Sequence, residues 1–289
     1  TLLKDTYQEK MMGQRFTPRN VVKFIVELIA PTISETVYDP ACGTGGFLRG
    51  ALMYVKGELD LAFERGDVFN PSEKIKQYAE NNLFGTDIEA GVVALAKANM
   101  ILHGDGHTHM IHHDGLIDSD KTKAITEKVA EDKGFDIIMT NPPFGGVKID
   151  PEIIAGYELA KNAKSELTQV LFIERCTKML KRGGRIGIIL PDGVLSNPKL
   201  RYVVEYIKEN YVIKALVSLP KGTFTPYGSD PKTHILLMRK KKYDGEPQAD
   251  ILTMKVNDIG YTPSGKETKK RDLEILEGRV KESGGINWN

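Results

Sequence analysis

Four consecutive residues, Asn141-Pro142-Pro143-Phe144, have the types needed to hold and activate a planar amine. Two prolines in a row fix the backbone and bring no N–H, so nearby carbonyls stay available as acceptors. The Asn141 side-chain oxygen and the Pro142 carbonyl can converge on one amine that has two hydrogens to donate. An aromatic amine needs that help because its lone pair is delocalised into the ring. Two acceptors favour a more pyramidal, nucleophilic nitrogen as positive charge develops on it. Attack on a methyl group carried by a sulfonium then requires in-line positioning and no covalent intermediate. Phe144 offers a face on which a base can stack, and a base inside a duplex must be flipped out to reach it. The bland alternative is a rigid loop closing a core strand, and the glycine-rich loop upstream argues against it.

That loop runs Asp39-Pro40-Ala41-Cys42-Gly43-Thr44-Gly45-Gly46-Phe47. Closely spaced glycines let the backbone pass near a ligand, and the following helix points free N–H groups at it. A glycine-rich turn is weak evidence alone, since several nucleotide sites share it. The P-loop ending Gly-Lys-Ser/Thr and the dinucleotide spacing G-x-G-x-x-G are both missing. Asp87 and Asp114 close the next two strands, as Asp39 closes the first. An acid at Asp87 can accept the ribose hydroxyls of an adenosine, and Asp114 can accept from its amine. Any one of the three could be a plain helix cap. Together they describe a pocket for an adenosine-bearing cofactor.

The elements that must position these residues alternate. Helical spacing covers Asn20 to Ala30, Phe47 to Lys56, Val92 to Leu102, Glu166 to Leu180 and Leu200 to Glu209. Strands are expected at Thr36 to Asp39, Leu83 to Asp87, His109 to Asp114, Phe135 to Met139 and Arg185 to Leu190, then at Val212 to Leu219 and His234 to Arg239. Strands separated by helices imply right-handed crossovers and a mostly parallel sheet covered on both faces. The last two strands have no helix between them and should form an antiparallel hairpin with a long loop. The expected fold class is therefore α/β, a mostly parallel seven-stranded sheet with a C-terminal antiparallel hairpin. It divides into an N-terminal helical segment (1–35), a catalytic domain (36–245) and a polar appendage (246–289) with a short helix near Asp272 to Val280.

Composition excludes some classes. With 289 residues, 40% hydrophobic and 27% charged, the sequence is that of a globular protein. It has no apolar run of the roughly 20 residues needed to span a bilayer. Two cysteines give neither a disulfide framework nor a zinc spacing, which points to an intracellular, cytoplasmic setting. A first residue of Thr1 suggests a fragment or a processed product. A net charge of +1 is small for a protein that grips long DNA unaided. The basic clusters Arg239 to Lys242 and Lys266 to Arg271 are read as solvated surface, with phosphate contact as the alternative. Five histidines lie between His103 and His113, but no tetrahedral spacing is apparent and no metal is expected. Cys42 is a packing residue; cytosine C5 chemistry would need a Pro-Cys turn, and the sequence has none.

The pairing of Asp39 to Phe47 with Asn141 to Phe144 resembles the two motifs of N6-adenine DNA methyltransferases. Their second motif reads Asp/Asn/Ser-Pro-Pro-Tyr/Phe/Trp, and the order here is that of the gamma group. Gly13 to Arg19 resembles the Gly-Gln-Phe/Tyr-Thr-Pro-Arg segment of modification subunits in type I restriction–modification systems. Ile189 to Leu195 and Leu219 to Phe224 are similar to that subunit too. The resemblance implies a class I S-adenosylmethionine-dependent fold and transfer of a methyl group to adenine N6 in DNA. It implies that Asn141, Pro142, Pro143 and Phe144 are catalytic. Gln14, Arg15, Phe16, Thr17, Pro18 and Arg19 would line the S-adenosylmethionine site with Asp39, Pro40, Gly43, Thr44, Gly45, Gly46, Phe47, Asp87 and Asp114. Implied partners are DNA, a separate specificity subunit and a restriction subunit. Such subunits usually carry a helical N-terminal domain that this sequence does not show, and no insertion resembles a target-recognition domain. A stand-alone DNA enzyme, or an RNA-adenine or protein-glutamine methyltransferase, is the alternative.

Overall fold

The computed structural model describes residues 16–103, 109–132, 134–144, 149–160, 168–225, 231–262 and 266–289. The first helix, α1 (Arg19–Ile29), starts after Pro18 and buries Val21, Val22, Ile25, Val26 and Ile29 on one side. It stops where Ala30 turns left-handed ahead of Pro31. Strand β1 (Val37–Asp39) is wholly buried and lies between β2 (Leu83–Asp87) and β4 (Phe135–Thr140), parallel to both. Strand β3 (Met110–His112) flanks β2, and β5 (Leu180–Pro191) flanks β4, again in parallel.

Helices α2 (Gly46–Glu64), α3 (Pro71–Asn82), α4 (Ala90–His103), α5 (Lys123–Asp132) and α7 (Thr168–Met179) connect these strands, with a short α6 at Pro151–Ala155. After β5 come α8 (Asp192–Ser196), α9 (Arg201–Asn210) and β6 (Tyr211–Ser218). Strand β7 (Thr233–Lys240) then inserts between β5 and β6, antiparallel to both. The expected hairpin is present.

The sheet has eight strands, in the order β3-β2-β1-β4-β5-β7-β6-β8. The additional strand, β8 (Leu252–Lys255), lies in the expected appendage and pairs in parallel with β6. Met254, Val256 and Ile259, with Leu273 and Val280 of α10 (Asp272–Glu282), enter the same core cluster as α1 and α2.

Strand residues alternate between two cores, as a two-faced sheet demands. Val37, Ile137, Met139, Ile189 and Leu237 face the cluster of α1, α2 and α3. Tyr38, Ile138, Ile188, Leu190 and Leu236 face the cluster of α7 and α9. The chain reverses its direction of growth across the sheet between β1 and β4. Open α/β sheets bind ligands at the carboxyl ends of strands at such a switch point. Asp39 and Asn141 stand at those two ends.

Arg239 does not belong to a basic surface. It is 2% exposed and grips Glu246 with two hydrogen bonds of 2.7 and 3.1 Å. Lys240 Nζ donates to the Thr177 and Leu180 carbonyls, each at 2.6 Å. Strand β7 is flanked on both sides, so a charge at its end must be paired where it lies. Among the described residues, no helix is long and apolar enough to cross a membrane.

Candidate active site

The glycine-rich loop depends on backbone that only glycine adopts easily. Gly45 has φ +78° as the residue before α2, and that conformation turns β1 into the helix. Asp39, 1% exposed, accepts a 3.0 Å hydrogen bond from the Ala41 N–H. Burial pushes its carboxyl up to about 7, and neighbouring Asp87 adds to the shift.

Asp87 ties the loop to β2. Its Oδ2 accepts from the Gly43 N–H at 2.9 Å and its Oδ1 from the Glu89 N–H at 3.0 Å. Each carboxylate oxygen keeps a further lone pair for a ligand. Desolvation raises this acid too. Asp114 accepts from the Leu116 N–H at 2.9 Å. Beside it, a Cβ on Gly115 would stand 2.0 Å from the Pro40 carbonyl oxygen, so the two loops touch only because that residue is glycine.

Two adjoining cavities open here and share Phe16, Ala41, Gly43 and Asn141 in their walls. The first, about 540 Å³, has Thr17, Arg19, Asp39, Thr44, Gly46 and Phe47 around it. The second, about 440 Å³, has Pro40, Asp87, Ile88, Asp114, Pro142, Pro143 and Phe144. Most residues expected at the site therefore meet. Pro18 and Gly45 line neither cavity; Pro18 caps α1 and Gly45 shapes the turn. Gln14 and Arg15 lie outside the described residues.

Asn141 carries the most informative geometry. Its Nδ2 donates to Thr17 Oγ1 at 3.1 Å, which turns the amide so that Oδ1 is left as the open acceptor. That Oδ1 is buried and has no hydrogen-bond partner among the described residues. A buried acceptor left unsatisfied costs about 1–3 kcal/mol, so a donor brought to it would be held. The turn is braced behind: Gln169, 1% exposed on α7, donates to the Pro143 carbonyl at 2.5 Å. Phe144 meets Phe224 edge to face, with centroids 5.5 Å apart and planes at 87°. This contact brings the Leu219 to Phe224 segment to the turn.

Ile88 and Gln169 were not singled out by sequence reasoning, and Phe224 was noted only as part of a family-like segment. Ile88 follows the acid of β2 and is 62% exposed on the wall of the second cavity. A large apolar residue just after a strand-closing acid is the signal that could have found it. Three of the clustered histidines are engaged separately: His103 Nδ1 with the Asn99 carbonyl at 2.7 Å, His112 Nε2 with the Ile88 carbonyl at 3.0 Å, and His109 stacked on Phe84. Cys42 is buried and its thiol is pushed well up by desolvation, the opposite of a nucleophile's environment.

Comparison with known proteins decides the family. The family model described as N-6 DNA Methylase matches residues 2–277. The chain belongs to the N-6 DNA methylase family. The chain is 31% identical over 255 residues to the type I restriction enzyme EcoEI methylase subunit of Escherichia coli, covering 86% of this chain and 46% of that one. It is 29% identical over 277 residues to the type II restriction enzyme and methyltransferase RM.BcgI of Heyndrickxia coagulans, covering 92% and 39%. A crystal structure assigned as the modification subunit of a type I restriction enzyme from Vibrio vulnificus YJ016 matches with TM-score 0.71 and 26% identity, over 95% of this chain and 54% of that chain. The fold is that of class I S-adenosylmethionine-dependent methyltransferases. The chain spans about half or less of the length of these relatives. Every residue placed at the two cavities lies within the matched span.

Proposed function

We propose that the chain binds S-adenosylmethionine in the paired cavities and methylates the N6 amine of adenine in DNA. The observation that carries this reading is the buried Oδ1 of Asn141, without a partner among the described residues, on a side chain that lines both cavities. The donor set suits the cofactor. Asp39 would take its ammonium, the start of α2 its carboxylate, Asp87 its ribose hydroxyls, and Asp114 its adenine amine. When bound, the cofactor supplies an electrophilic methyl group on a sulfonium.

The chain's own residues do the rest. Asn141 Oδ1 and the Pro142 carbonyl accept the two hydrogens of the target amine and raise the electron density on nitrogen. Phe144, held edge-on by Phe224, presents a ring against which the base stacks. After transfer the amine sheds one hydrogen as a proton to water, because an amide oxygen is too weak a base to keep it. Thr17 holds the Asn141 amide in the orientation that exposes the acceptor.

The EcoEI relative is named as a methylase subunit of a type I restriction enzyme. We read this chain as the corresponding modification subunit, cytoplasmic, working on DNA with separate specificity and restriction subunits. In this reading residues 1–35 complete the cofactor site, 36–245 form the catalytic domain and 246–289 buttress it.

The test is methyl transfer from radiolabelled S-adenosylmethionine to DNA, RNA and a protein extract, with wild type and Asn141→Ala. Label should enter DNA, as N6-methyladenine, without preference for one defined sequence until a specificity subunit is added. Asn141→Ala should lower the rate about 100- to 1,000-fold, the scale of one transition-state hydrogen bond. Its calorimetric affinity for S-adenosylmethionine should stay within about twofold. Near-normal turnover in the variant, or label confined to RNA or protein, overturns the reading.

A further inference from the structure

The wall of the first cavity carries a group of residues to which the cofactor and amine contacts proposed above give no part; of these only Arg19 was expected at the cofactor site. Arg19 begins α1, Arg49 lies in the first turn of α2, and Asn99 and His103 sit on the last turns of α4. Neither guanidinium has an ion-pair or hydrogen-bond partner among the described residues, whereas Arg175, Arg185 and Arg239 are all paired with carboxylates. Asn99 Nδ2 donates to the Thr44 carbonyl at 3.0 Å and thereby fixes α4 against the glycine-rich loop. His103 Nδ1 is engaged with the Asn99 carbonyl, which leaves its Nε2 for the cavity. Asn141 lines the same cavity.

The charge balance says what belongs there. S-adenosylmethionine, with a sulfonium, an ammonium and one carboxylate, is a net cation. The second cavity suits a cation, since Asp87, Glu89, Asp114 and Asp150 line it and, among the described residues, no lysine or arginine does. In the first cavity Asp39 is, among the described residues, the one acid set against Arg19, Arg49 and, when protonated, His103. One carboxylate, already served by the α2 N-terminus, does not balance two guanidiniums beside a cationic cofactor. A second anion does, and a strand that delivers a base to Asn141 brings phosphodiesters on either side of it.

Resting on the proposed DNA-adenine activity, we infer that Arg19, Arg49 and His103 form a phosphate clamp for the target strand, on the Asn141 side of the cofactor loop. A planar guanidinium fork matches a phosphodiester's paired oxygens. Because the clamp holds backbone, it fixes the flipped nucleotide's position and reads no sequence.

The experiment uses the full chain, Arg49→Ala and Arg49→Lys, a labelled 30-mer duplex and the matching single strand. Anisotropy is recorded with S-adenosylmethionine present over 20–150 mM salt. Each lost phosphate contact should lower the slope of log affinity against log salt by about 0.9 for duplex or about 0.7 for single strand. Arg49→Ala should show that loss, with DNA affinity down several-fold at low salt and S-adenosylmethionine affinity within twofold. Arg49→Lys should keep the slope. A mutant that loses cofactor affinity tenfold and keeps its salt slope would assign Arg49 to the cofactor carboxylate and overturn the clamp. An unchanged slope with unchanged cofactor affinity overturns it too, as does a wild type with no DNA binding at 20 mM salt. In each of those cases methyl transfer, measured separately, still judges the activity. Should Arg49→Ala fail to fold by circular dichroism, Arg49→Gln keeps the stem and removes the charge, and the same slopes decide.

Discussion

Asp39 makes cofactor binding a pH-dependent event whose size can be worked out beforehand. Its carboxyl is buried at the end of β1 and titrates near 7, chiefly through desolvation. Only the ionised form attracts an ammonium, so binding at lower pH must first expel a proton. Between pH 7.5 and 5.5 the ionised fraction of a group titrating near 7 falls from about three-quarters to about 3%. If bound Asp39 stays ionised across that window, S-adenosylmethionine affinity should drop about 25-fold, or about 2 kcal/mol. The window stops at 7.5 because an α-amino group begins to lose its own proton near 8. Calorimetry at half-unit steps measures this, and proton release in buffers of different ionisation enthalpy should approach one per cofactor at the acid end. Asp39→Asn should bind more weakly at pH 7.5 and lose most of the slope, keeping only the share due to Asp87. In the free protein the sign is reversed. A carboxyl raised from 3.8 to about 7 contributes stability that is complete below pH 4 and is lost as pH rises through 7. The Tm of the free chain should therefore fall from pH 5 to 8, and Asp39→Asn should flatten that fall. Wild-type affinity constant within twofold across the window, or an undiminished slope in Asp39→Asn, would refute the assignment of the ammonium to Asp39.

Two further outcomes follow from the loop geometry. Asp87→Ala should weaken S-adenosylmethionine binding by about 1.5–3 kcal/mol, the range for a charge-assisted hydrogen bond, with or without DNA. Unchanged calorimetric affinity in a folded variant would remove Asp87 from the cofactor site. Gly115→Ala places a Cβ 2.0 Å from the Pro40 carbonyl oxygen, so backbone must move; the expected cost is about 1–3 kcal/mol in stability, with cofactor binding lost. Gly193→Ala, with open space around it, is the control and should leave both unchanged in thermal melts and calorimetry.

The sequence announces the parts of the fold that are locally self-consistent. Ile137 to Met139 alternates between two cores, and it is visible as an apolar run two residues ahead of a proline pair. Strand β8 is hidden for the opposite reason. Of its four residues only Met254 is buried, so its strand character comes from pairing with β6 and not from its own pattern. Helix α3 is polar along most of its length and buries only Tyr78 and Ala79, which leaves no stripe to read. Helix α2 runs past Lys56 and through Gly57; burial of Leu59 at 7% exposure outweighs a glycine cost of about 1 kcal/mol. At the site, Asp39, Asp87, Asp114 and the Asn141 turn were legible because each closes a strand. The bond from Asn141 to Thr17 spans 124 positions and the one from Gln169 to Pro143 spans 26, and nothing local in the sequence marks either.

Charge shows best how composition and structure differ as guides. A formal net charge of +1 argues against a strong grip on DNA by the whole surface. The most basic run in the sequence does not alter that, since Arg239 and Lys240 spend their charge on Glu246 and on carbonyls inside the molecule. What remains is local. Carboxylates gather in the cavity bounded by Asp87 and Asp114, guanidiniums without a partner among the described residues gather in the cavity bounded by Arg19 and Arg49, and Asn141 belongs to both walls. The adenosine end of the cofactor would thus be drawn to the acidic cavity and an anionic strand to the basic wall beside its methionine end, with Thr17 fixing which atom of the Asn141 amide is left open as an acceptor. A net charge near zero leaves general attraction to DNA weak, so the local field inside the cleft decides where the strand must lie.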